Sequence, residues 1–345
     1  MLNELKATIA KITENGKGIL AADESTSTIK KRFDSINLAS TEETRRDYRE
    51  MLFNAPAIGD YISGAILFEE TLEQNTSKSE SMVELLQRQG IIPGIKVDLG
   101  LVHLVNSDDE KATQGLDGLP ERLAHYKSLG ARFAKWRAVY DITDDKPSEQ
   151  AIKTNADLLA RYAAICQSQG IVPMVEPEVL MDGSHTIERC SEVTEQVLIE
   201  VFNALRTHKV ILEGMILKPN MVISGSDCSV KASTEQVAEM TIAVFKRTVP
   251  AAVPTINFLS GGQTEVEATA NLQAMNALGD LPWVLGYSYG RALQAPAIAA
   301  WQGKAENVTA GQAALLKRAK ANTAATLGKY HADMEQETIN APIIP

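Results

Sequence analysis

Eight short apolar runs, rich in β-branched residues, alternate along the chain with segments whose apolar residues recur at helical spacing. Several runs are apolar at successive positions, as a parallel strand covered on both faces should be. Strand and helix alternating eight times predict a (β/α)8 TIM barrel of the α/β class, in a single domain. The predicted strands are residues 17–23, 61–68, 91–98, 133–140, 171–180, 210–220, 255–262 and 283–290.

The segments between these runs carry the signals of helix ends. Serines are predicted to cap the starts of three helices, namely Ser79, Ser148 and Ser233. Glycines are predicted to end three helices, namely Gly90, Gly130 and Gly170. An open, doubly wound sheet is the competing fold, but no GxGxxG motif follows the first strand.

The domain is predicted to span residues 1–330, with a helix before the first strand and an alanine-rich helix at about 309–329 on the outside. The last segment, residues 331–345, lacks helical periodicity and is predicted to be an extended or mobile tail.

The chain has 34 basic and 44 acidic residues and a net charge of −10, which argues against a nucleic-acid or anionic-membrane surface. No segment approaches the roughly 18 uninterrupted apolar residues of a membrane span, and the first residues lack the apolar core of a signal peptide. The three cysteines show no CxxC spacing and fit a reducing compartment. We therefore expect a cytoplasmic protein with no nucleic-acid or membrane partner.

Five basic residues stand out in this acidic chain, because they lie in or just after apolar strands, where a charge is costly to bury. They are Lys96, Lys135, Arg137, Lys218 and Arg291. A buried and unpaired ammonium costs several kcal/mol, roughly, even after relaxation. Such charges are kept where they meet an anion, or where one lysine is used in its neutral form, and both interpretations predict an active site.

The catalytic groups of a barrel lie at the carboxyl ends of its strands. Residues two apart in a strand share a face, so Lys135 lies with Arg137, and Glu176 lies with Glu178. Lys218 is the candidate nucleophile, since burial and the nearby charge of Lys135 favour the free amine that attacks a carbonyl. The alternative is a buried lysine paired with a carboxylate that only orders the core.

Three carboxylates could handle protons in this site. Glu176 and Glu178 could divide the acid and base roles, because two neighbouring carboxylates rarely both stay ionised. They could instead only neutralise the lysines. Asp23 closes the first strand, where it could orient a substrate hydroxyl and a lysine amine or simply cap the following turn.

Glycine-rich turns at residues 260–262 and 288–291 end the last two strands. This is the usual phosphate site of a barrel, and Arg291 adds a bidentate cation. The five histidines show neither HxH nor HExxH spacing, so no metal site and no cofactor is predicted.

Eight motifs resemble class I fructose-bisphosphate aldolase, which forms a Schiff base with its substrate. They are GILAADEST, GIKVD, TQGLDGL, FAKWR, VEPE, LEGMILKPNM, FLSGGQ and SYGRALQ, in the family's order, and the resemblance runs from about residue 15 to 330. It implies a lyase of glycolysis and gluconeogenesis that reversibly cleaves the sugar-phosphate substrate fructose 1,6-bisphosphate to dihydroxyacetone phosphate and glyceraldehyde 3-phosphate. It also implies a (β/α)8 barrel, a homotetramer and metal-independent chemistry.

The resemblance implies a catalytic role for five residues. Lys218 matches the Schiff-base lysine, Glu178 the acid/base glutamate, Glu176 its partner, Asp23 the acceptor of the C4 hydroxyl proton, and Lys135 a charge-transfer lysine. It places Lys96 and Arg137 near the distal phosphate. The other phosphate-binding residues it implies are Ser260, Gly261, Gly262, Ser288, Gly290 and Arg291 at one end, and Ser25, Lys31 and Arg32 around the second phosphate.

Two departures from the family accompany this resemblance. Animal-type relatives end in a tyrosine that assists proton exchange, whereas no tyrosine follows Tyr330 here, and Leu99 stands where relatives often carry lysine. Deleting the residues after about 332 should therefore change the cleavage rate less than in a tyrosine-tailed enzyme.

The sequence is also compatible with two rival functions. One is a Schiff-base lyase or transaldolase that acts on another sugar phosphate. The other is a barrel kept as a scaffold after losing catalysis, which would require a missing catalytic residue, and none of the matched positions is missing.

Overall fold

The computed structural model describes residues 2–336 and contains ten strands in that part of the chain. They are β1 (Gly18–Ala22), β2 (Ile62–Leu67), β3 (Ile92–Lys96), β4 (Leu101–His103), β5 (Lys111–Thr113), β6 (Phe133–Tyr140), β7 (Val172–Val179), β8 (Ile216–Leu217), β9 (Thr255–Phe258) and β10 (Val284–Tyr289). Eight of them form a closed parallel barrel in the order β1-β10-β9-β8-β7-β6-β3-β2, and β4 and β5 pair as an antiparallel hairpin. The predicted (β/α)8 barrel is confirmed.

Helices surround the barrel, the first of them before β1 and the others after the strands. They are α1 (Leu2–Ile12), α2 (Thr26–Asp34), α3 (Glu42–Phe53), α4 (Glu69–Glu73), α5 (Met82–Arg88), α6 (Leu119–Leu129), α7 (Glu149–Ser168), α8 (Ile187–Thr207), α9 (Thr234–Thr248), α10 (Glu265–Ala277), α11 (Arg291–Trp301) and α12 (Val308–Thr326). The alanine-rich helix predicted at 309–329 is α12, which packs against α3, α10 and α11.

The amino-terminal end of the barrel is closed by apolar packing. Leu5, Ile9 and Ile12 of α1 form one buried cluster with interior residues of the strands, among them Phe133 and Met174. Burying these side chains removes apolar surface from water and leaves no access from this end. Any polar site inside the barrel must therefore open at the carboxyl ends of the strands.

The side chains of β6 point alternately into the barrel and outward, and those that point inward belong first to the apolar core and then to the site. Phe133 points into the apolar interior cluster, while Trp136 points outward and stacks on Tyr162 of α7 with ring centroids 5.4 Å apart. Lys135 and Arg137 take the inward positions between and beyond them, where both line a cavity.

Register brings the inward charges of neighbouring strands to one level. Arg137 of β6 pairs with Glu176 of β7, and Met174 of β7 pairs with Ile216 of β8. Lys218 follows Ile216 by two positions, so it comes level with Glu176 on the same face. Its backbone N–H donates to the carbonyl oxygen of Val175 at 2.8 Å, which fixes this register.

Two local predictions were wrong. The strand predicted at 210–220 forms ladder pairs only over β8, because Leu212–Gly214 is a turn of 3-10 helix. Ser79 does not cap α5, since its φ of +65° places it in the preceding turn. Ser81 is the cap and accepts from the backbone N–H of Glu84 in a capping box.

The other predicted helix ends are found. Ser148 and Ser233 cap α7 and α9 with their side chains. The three predicted glycines, Gly90, Gly130 and Gly170, follow α5, α6 and α7 with positive φ.

The last described residues pack against the barrel. Ala332–Glu335 forms a turn of 3-10 helix, and Oε2 of Glu335 lies 2.5 Å from Nη1 of the buried Arg318 on α12. The tail predicted to be extended or mobile from 331 therefore begins with a packed turn. Its remainder from 337 lies outside the described residues, and the boundary of the domain at 330 stays a prediction.

Candidate active site

A cavity of about 500 Å³ opens at the carboxyl ends of the barrel strands. Every site residue predicted from the sequence lines it, except Gly262. Gly262 instead faces away, toward Met181, where a Cβ would lie 2.1 Å from the Met181 sulfur. Close packing behind the turn thus requires a glycine here, and the assignment of Gly262 to the phosphate site stays a prediction.

The cavity has four lining residues that sequence reasoning missed, namely Ala21, Glu24, Thr28 and Leu259. Spacing offered a signal for two of them. Ala21 lies two residues before Asp23 on the same strand face, and Thr28 lies one helical turn after Ser25.

Two lysines and two carboxylates meet at the bottom of the cavity. Nζ of Lys135 lies 3.0 Å from Oδ2 of Asp23 and 3.0 Å from Oε2 of Glu176. Nζ of Lys218 lies 3.2 Å from Oε1 of the same glutamate. The side chains of both lysines and of Glu176 are buried, so this carboxylate bridges two amines away from bulk water.

Burial and charge oppose each other in this cluster, and charge prevails. Burial alone would raise the pKa of Asp23, but the charges of Lys135 and Lys218 hold that pKa well below its usual range. Burial alone would lower the pKa of Lys135, but Asp23 and Glu176 raise it well above its usual range. Asp23 is therefore a carboxylate and Lys135 a fixed cation at neutral pH.

Glu178 and Arg137 form a second pair nearer the mouth. Nε of Arg137 donates to Oε2 of Glu178, and this carboxylate outweighs burial and raises the arginine pKa. Glu176, rather than Glu178, contacts Lys218. The strand register explains why Lys218 meets Glu176, because the two residues are level, whereas Glu178 lies one pleat higher. Arg137 is also level with Glu176, but its long side chain reaches up to Glu178.

Lys96 completes the basic wall on the β3 side. Its Nζ donates to Oδ1 of Asp98 at 2.6 Å and to the Asp98 carbonyl oxygen at 2.7 Å. Asp98 is buried and also accepts from the backbone N–H of Gly100 at 3.2 Å. The ammonium of Lys96 is thereby held at the cavity wall.

Two helix N-termini without a side-chain cap border the cavity. Gly290 precedes α11, and Ser25 precedes α2, where its hydroxyl contacts Ser27 and Thr28 instead of a backbone N–H. Uncapped N-terminal N–H groups favour anions. Arg291 donates to the Gly261 carbonyl oxygen beside the first of these sites, and the buried Ser288 hydroxyl has no partner among the described residues.

Comparison with known families decides what this constellation belongs to. The model of the family "Fructose-bisphosphate aldolase class-I" matches residues 4–343. The chain belongs to the class I fructose-bisphosphate aldolases. Fructose-bisphosphate aldolase 1 of Toxoplasma gondii is 57% identical over 95% of this chain and 91% of its own. The cytosolic aldolase 4 of Arabidopsis thaliana is 56% identical over 96% of this chain and 85% of its own.

A solved structure agrees over the whole barrel. The aldolase of Plasmodium falciparum, in a ternary complex with TRAP and a small-molecule inhibitor, superposes with a TM-score of 0.95 at 54% identity. The match covers 96% of each chain. The chain described here is thus a lyase of glycolysis, and a Schiff-base mechanism is characteristic of its family. Among residues 2–336, no helix is both long and apolar enough to cross a membrane.

Proposed function

We propose that Lys218 forms the imine with fructose 1,6-bisphosphate and that Glu176 moves the protons of imine formation. The observation that carries this assignment is the 3.2 Å contact between Nζ of Lys218 and Oε1 of Glu176 in a buried setting. The amine of Lys218 attacks the C2 ketone to give a carbinolamine. Two protons leave the Lys218 nitrogen, one to Glu176 before attack and one after it, and Glu176 passes both to the ketone oxygen. That oxygen leaves as water, and an iminium remains.

Asp23 accepts the C4 hydroxyl proton as the C3–C4 bond breaks. The electron pair of that bond flows into the iminium and leaves an enamine on Lys218. Asp23 is available as an acceptor because the charges of Lys135 and Lys218 keep it ionised. Lys135 lies 3.0 Å from Asp23. Its fixed positive charge is therefore next to the C4 oxygen of the substrate, where negative charge develops as the proton leaves.

The two phosphates are held at the two uncapped helix starts. Ser260, Gly261, Ser288, Gly290 and Arg291 surround the anion site at the start of α11. The second group is Ser25, which precedes α2, together with Lys31, Arg32, Lys96 and Arg137 on the same cavity wall. Arg32, in the last turn of α2, also approaches Gly290 at the first anion site. Their positive charge compensates an anionic substrate inside a protein whose net charge is −10.

Chemical trapping tests the nucleophile. Borohydride added with dihydroxyacetone phosphate should reduce the imine to a stable amine on Lys218, located by peptide mass spectrometry. Lys218→Ala should yield no adduct and no cleavage. A chelator should leave cleavage unchanged, because the iminium serves as the electron sink that a Lewis-acid ion would otherwise provide. An adduct on another lysine, or normal cleavage by Lys218→Ala, would refute the assignment.

A comparison of substrates tests the bisphosphate assignment. Cleavage rates on fructose 1,6-bisphosphate and fructose 1-phosphate separate an enzyme with two anion sites from a relative that acts on another sugar phosphate. Two sites predict the higher kcat/KM for the bisphosphate, since the second phosphate adds charged contacts.

We further propose a homotetramer located in the cytoplasm. Apolar side chains are exposed together on and beside β4, namely Leu99, Leu101, Val102 and Val105, which supports burial against another copy. Two observations support the cytoplasmic location. The three buried cysteines, Cys166, Cys190 and Cys228, are all free thiols, and a relative at 56% identity is named cytosolic. Light scattering of the purified chain measures the assembly, and a monomeric mass at micromolar concentration would contradict it.

A further inference from the structure

Glu24 directly follows Asp23 in the loop from β1 to α2, and its carboxylate is buried between two arginines. Oε1 lies 2.5 Å from Nη1 of Arg32. Oε2 lies 3.4 Å from Nη2 of Arg49, which also donates to the Glu24 carbonyl oxygen at 3.0 Å. One carboxylate thus joins α2, which carries Arg32, to α3, which carries Arg49.

A third helix joins the same carboxylate. Nε2 of Gln294 in α11 donates to Oε1 of Glu24 at 2.8 Å and to the Ala21 carbonyl oxygen at 2.6 Å. Arg49 also donates to the carbonyl oxygen of Ala22. The carboxylate is therefore fixed both to the end of β1 and to the helix that begins at Arg291, and this anchoring leaves it little freedom to move.

The other end of the Arg32 guanidinium reaches the anion site. Nη2 of Arg32 lies 3.7 Å from the position that a Cβ on Gly290 would take. Gly290 precedes the uncapped start of α11. Arg32 thus spans the gap from Glu24 to a helix N-terminus, with its Nη1 in an ion pair with Glu24 but in no aligned hydrogen bond among the described residues.

We propose that Glu24 is a positioning residue, which holds the Arg32 guanidinium beside Gly290 ready for a phosphate of the substrate. This inference rests on the proposed anion site at the start of α11. Two effects of the carboxylate oppose each other, since it fixes the guanidinium but also reduces its net charge. Fixing the guanidinium has the larger effect. Arg32 is a long side chain, partly exposed at the mouth of the cavity, where solvent screens the charge of Glu24 and an unheld side chain would adopt many rotamers.

Steady-state kinetics test the proposal. Glu24→Gln keeps the size of the side chain and should raise KM for fructose 1,6-bisphosphate about tenfold, with kcat within about threefold, as expected for loss of a ground-state contact. Arg32→Met should raise KM at least as much. The double variant should show no further increase over Arg32→Met, because Glu24 acts through Arg32. Additive increases, or an unchanged KM in Glu24→Gln, would overturn the proposal.

Folding is controlled by a second variant and by a distant one. Glu24→Asp keeps the charge that Arg49 requires but withdraws the carboxylate from Arg32, so it should also raise KM. Ser63→Ala removes a buried hydrogen bond to the Ile12 carbonyl oxygen at the opposite end of the barrel. It should lower thermal stability without changing KM, whereas an equal rise in KM there would show that destabilisation alone explains the effect.

Borohydride trapping separates this proposal from the proposed function. The wild type and Glu24→Gln should both give the adduct on Lys218 at saturating dihydroxyacetone phosphate. If the wild type gives no adduct, the proposed function fails. If both give it at the same half-saturating concentration, only the positioning role of Glu24 fails.

Discussion

The carboxylate of Glu176 contacts the amine of Lys218 through one oxygen, at 3.2 Å, and reaches Lys135 with the other, at 3.0 Å. A single buried anion is therefore shared between the candidate nucleophile and a permanent cation. Because Lys135 also binds Asp23 at 3.0 Å, the site is a chain of alternating charges rather than two separate pairs. Such a chain couples the proton position at one end to the charge at the other.

Replacing Glu176 should affect chemistry more than replacing Glu178. Glu176→Gln keeps the shape but removes the proton carrier nearest Lys218, so kcat should fall by about 10²–10⁴-fold. Glu178→Gln is the matched control, because its carboxylate contacts Arg137 instead. We expect it to change KM more than kcat. Steady-state cleavage of fructose 1,6-bisphosphate measures both, and a larger loss of kcat in Glu178→Gln would contradict the assignment.

Lys135 should act through its charge. Lys135→Met removes the cation that faces Asp23 and Glu176 and should lower kcat by about 10²–10³-fold, as loss of a preorganised electrostatic contact does. Lys135→Arg keeps the charge and should retain more activity than the methionine variant. Cleavage rates under identical conditions decide this, and equal losses in the two variants would show that the length of the lysine matters more than its charge.

The sequence located this site because strand ends and alternation are local properties. Lys135 and Arg137, or Glu176 and Glu178, share a face whatever surrounds them. The partner of each charge could not be read in this way. That Lys218 meets Glu176 depends on the register between β7 and β8, which is set by backbone pairing across strands.

Contacts between distant helices were also beyond the sequence. Glu24 meets Gln294, 270 positions away, because α11 packs against the end of β1. No spacing of residues near Glu24 predicts this contact. Gly262 is the opposite case. Its turn has the glycine-rich sequence of a phosphate-binding turn, but a side chain at this position would collide with Met181.

The pKa of Asp23 makes a prediction for acid stability. This carboxyl is held well below its usual pKa by Lys135 and Lys218, against the effect of burial. The unfolded chain therefore binds the proton first as pH falls. The contribution of Asp23 to stability is complete above the unfolded pKa of about 3.9 and is lost progressively below it.

Denaturant unfolding of the wild type and Asp23→Asn measures this contribution. The difference in unfolding free energy should be constant from pH 7 to about 5 and then shift against the wild type as pH falls further. Thr241→Val, which removes a buried hydrogen bond to Val222 but no charge, should differ from the wild type by a constant amount. A pH-independent difference for Asp23→Asn would show that the carboxyl is not held ionised.

Two deletions should separate the packed turn Ala332–Glu335 from the residues beyond it. Ending the chain after residue 332 removes Glu335, which pairs with the buried Arg318 and accepts from the Tyr330 hydroxyl at 2.9 Å. The free energy of unfolding should fall by about 1–3 kcal/mol, as expected for lost hydrogen bonds to a charged group. Ending it after residue 336 keeps these contacts and should preserve stability. The two proteins differ by four residues only, so calorimetry of both isolates the turn, and equal stabilities would show that the Glu335–Arg318 pair contributes nothing measurable.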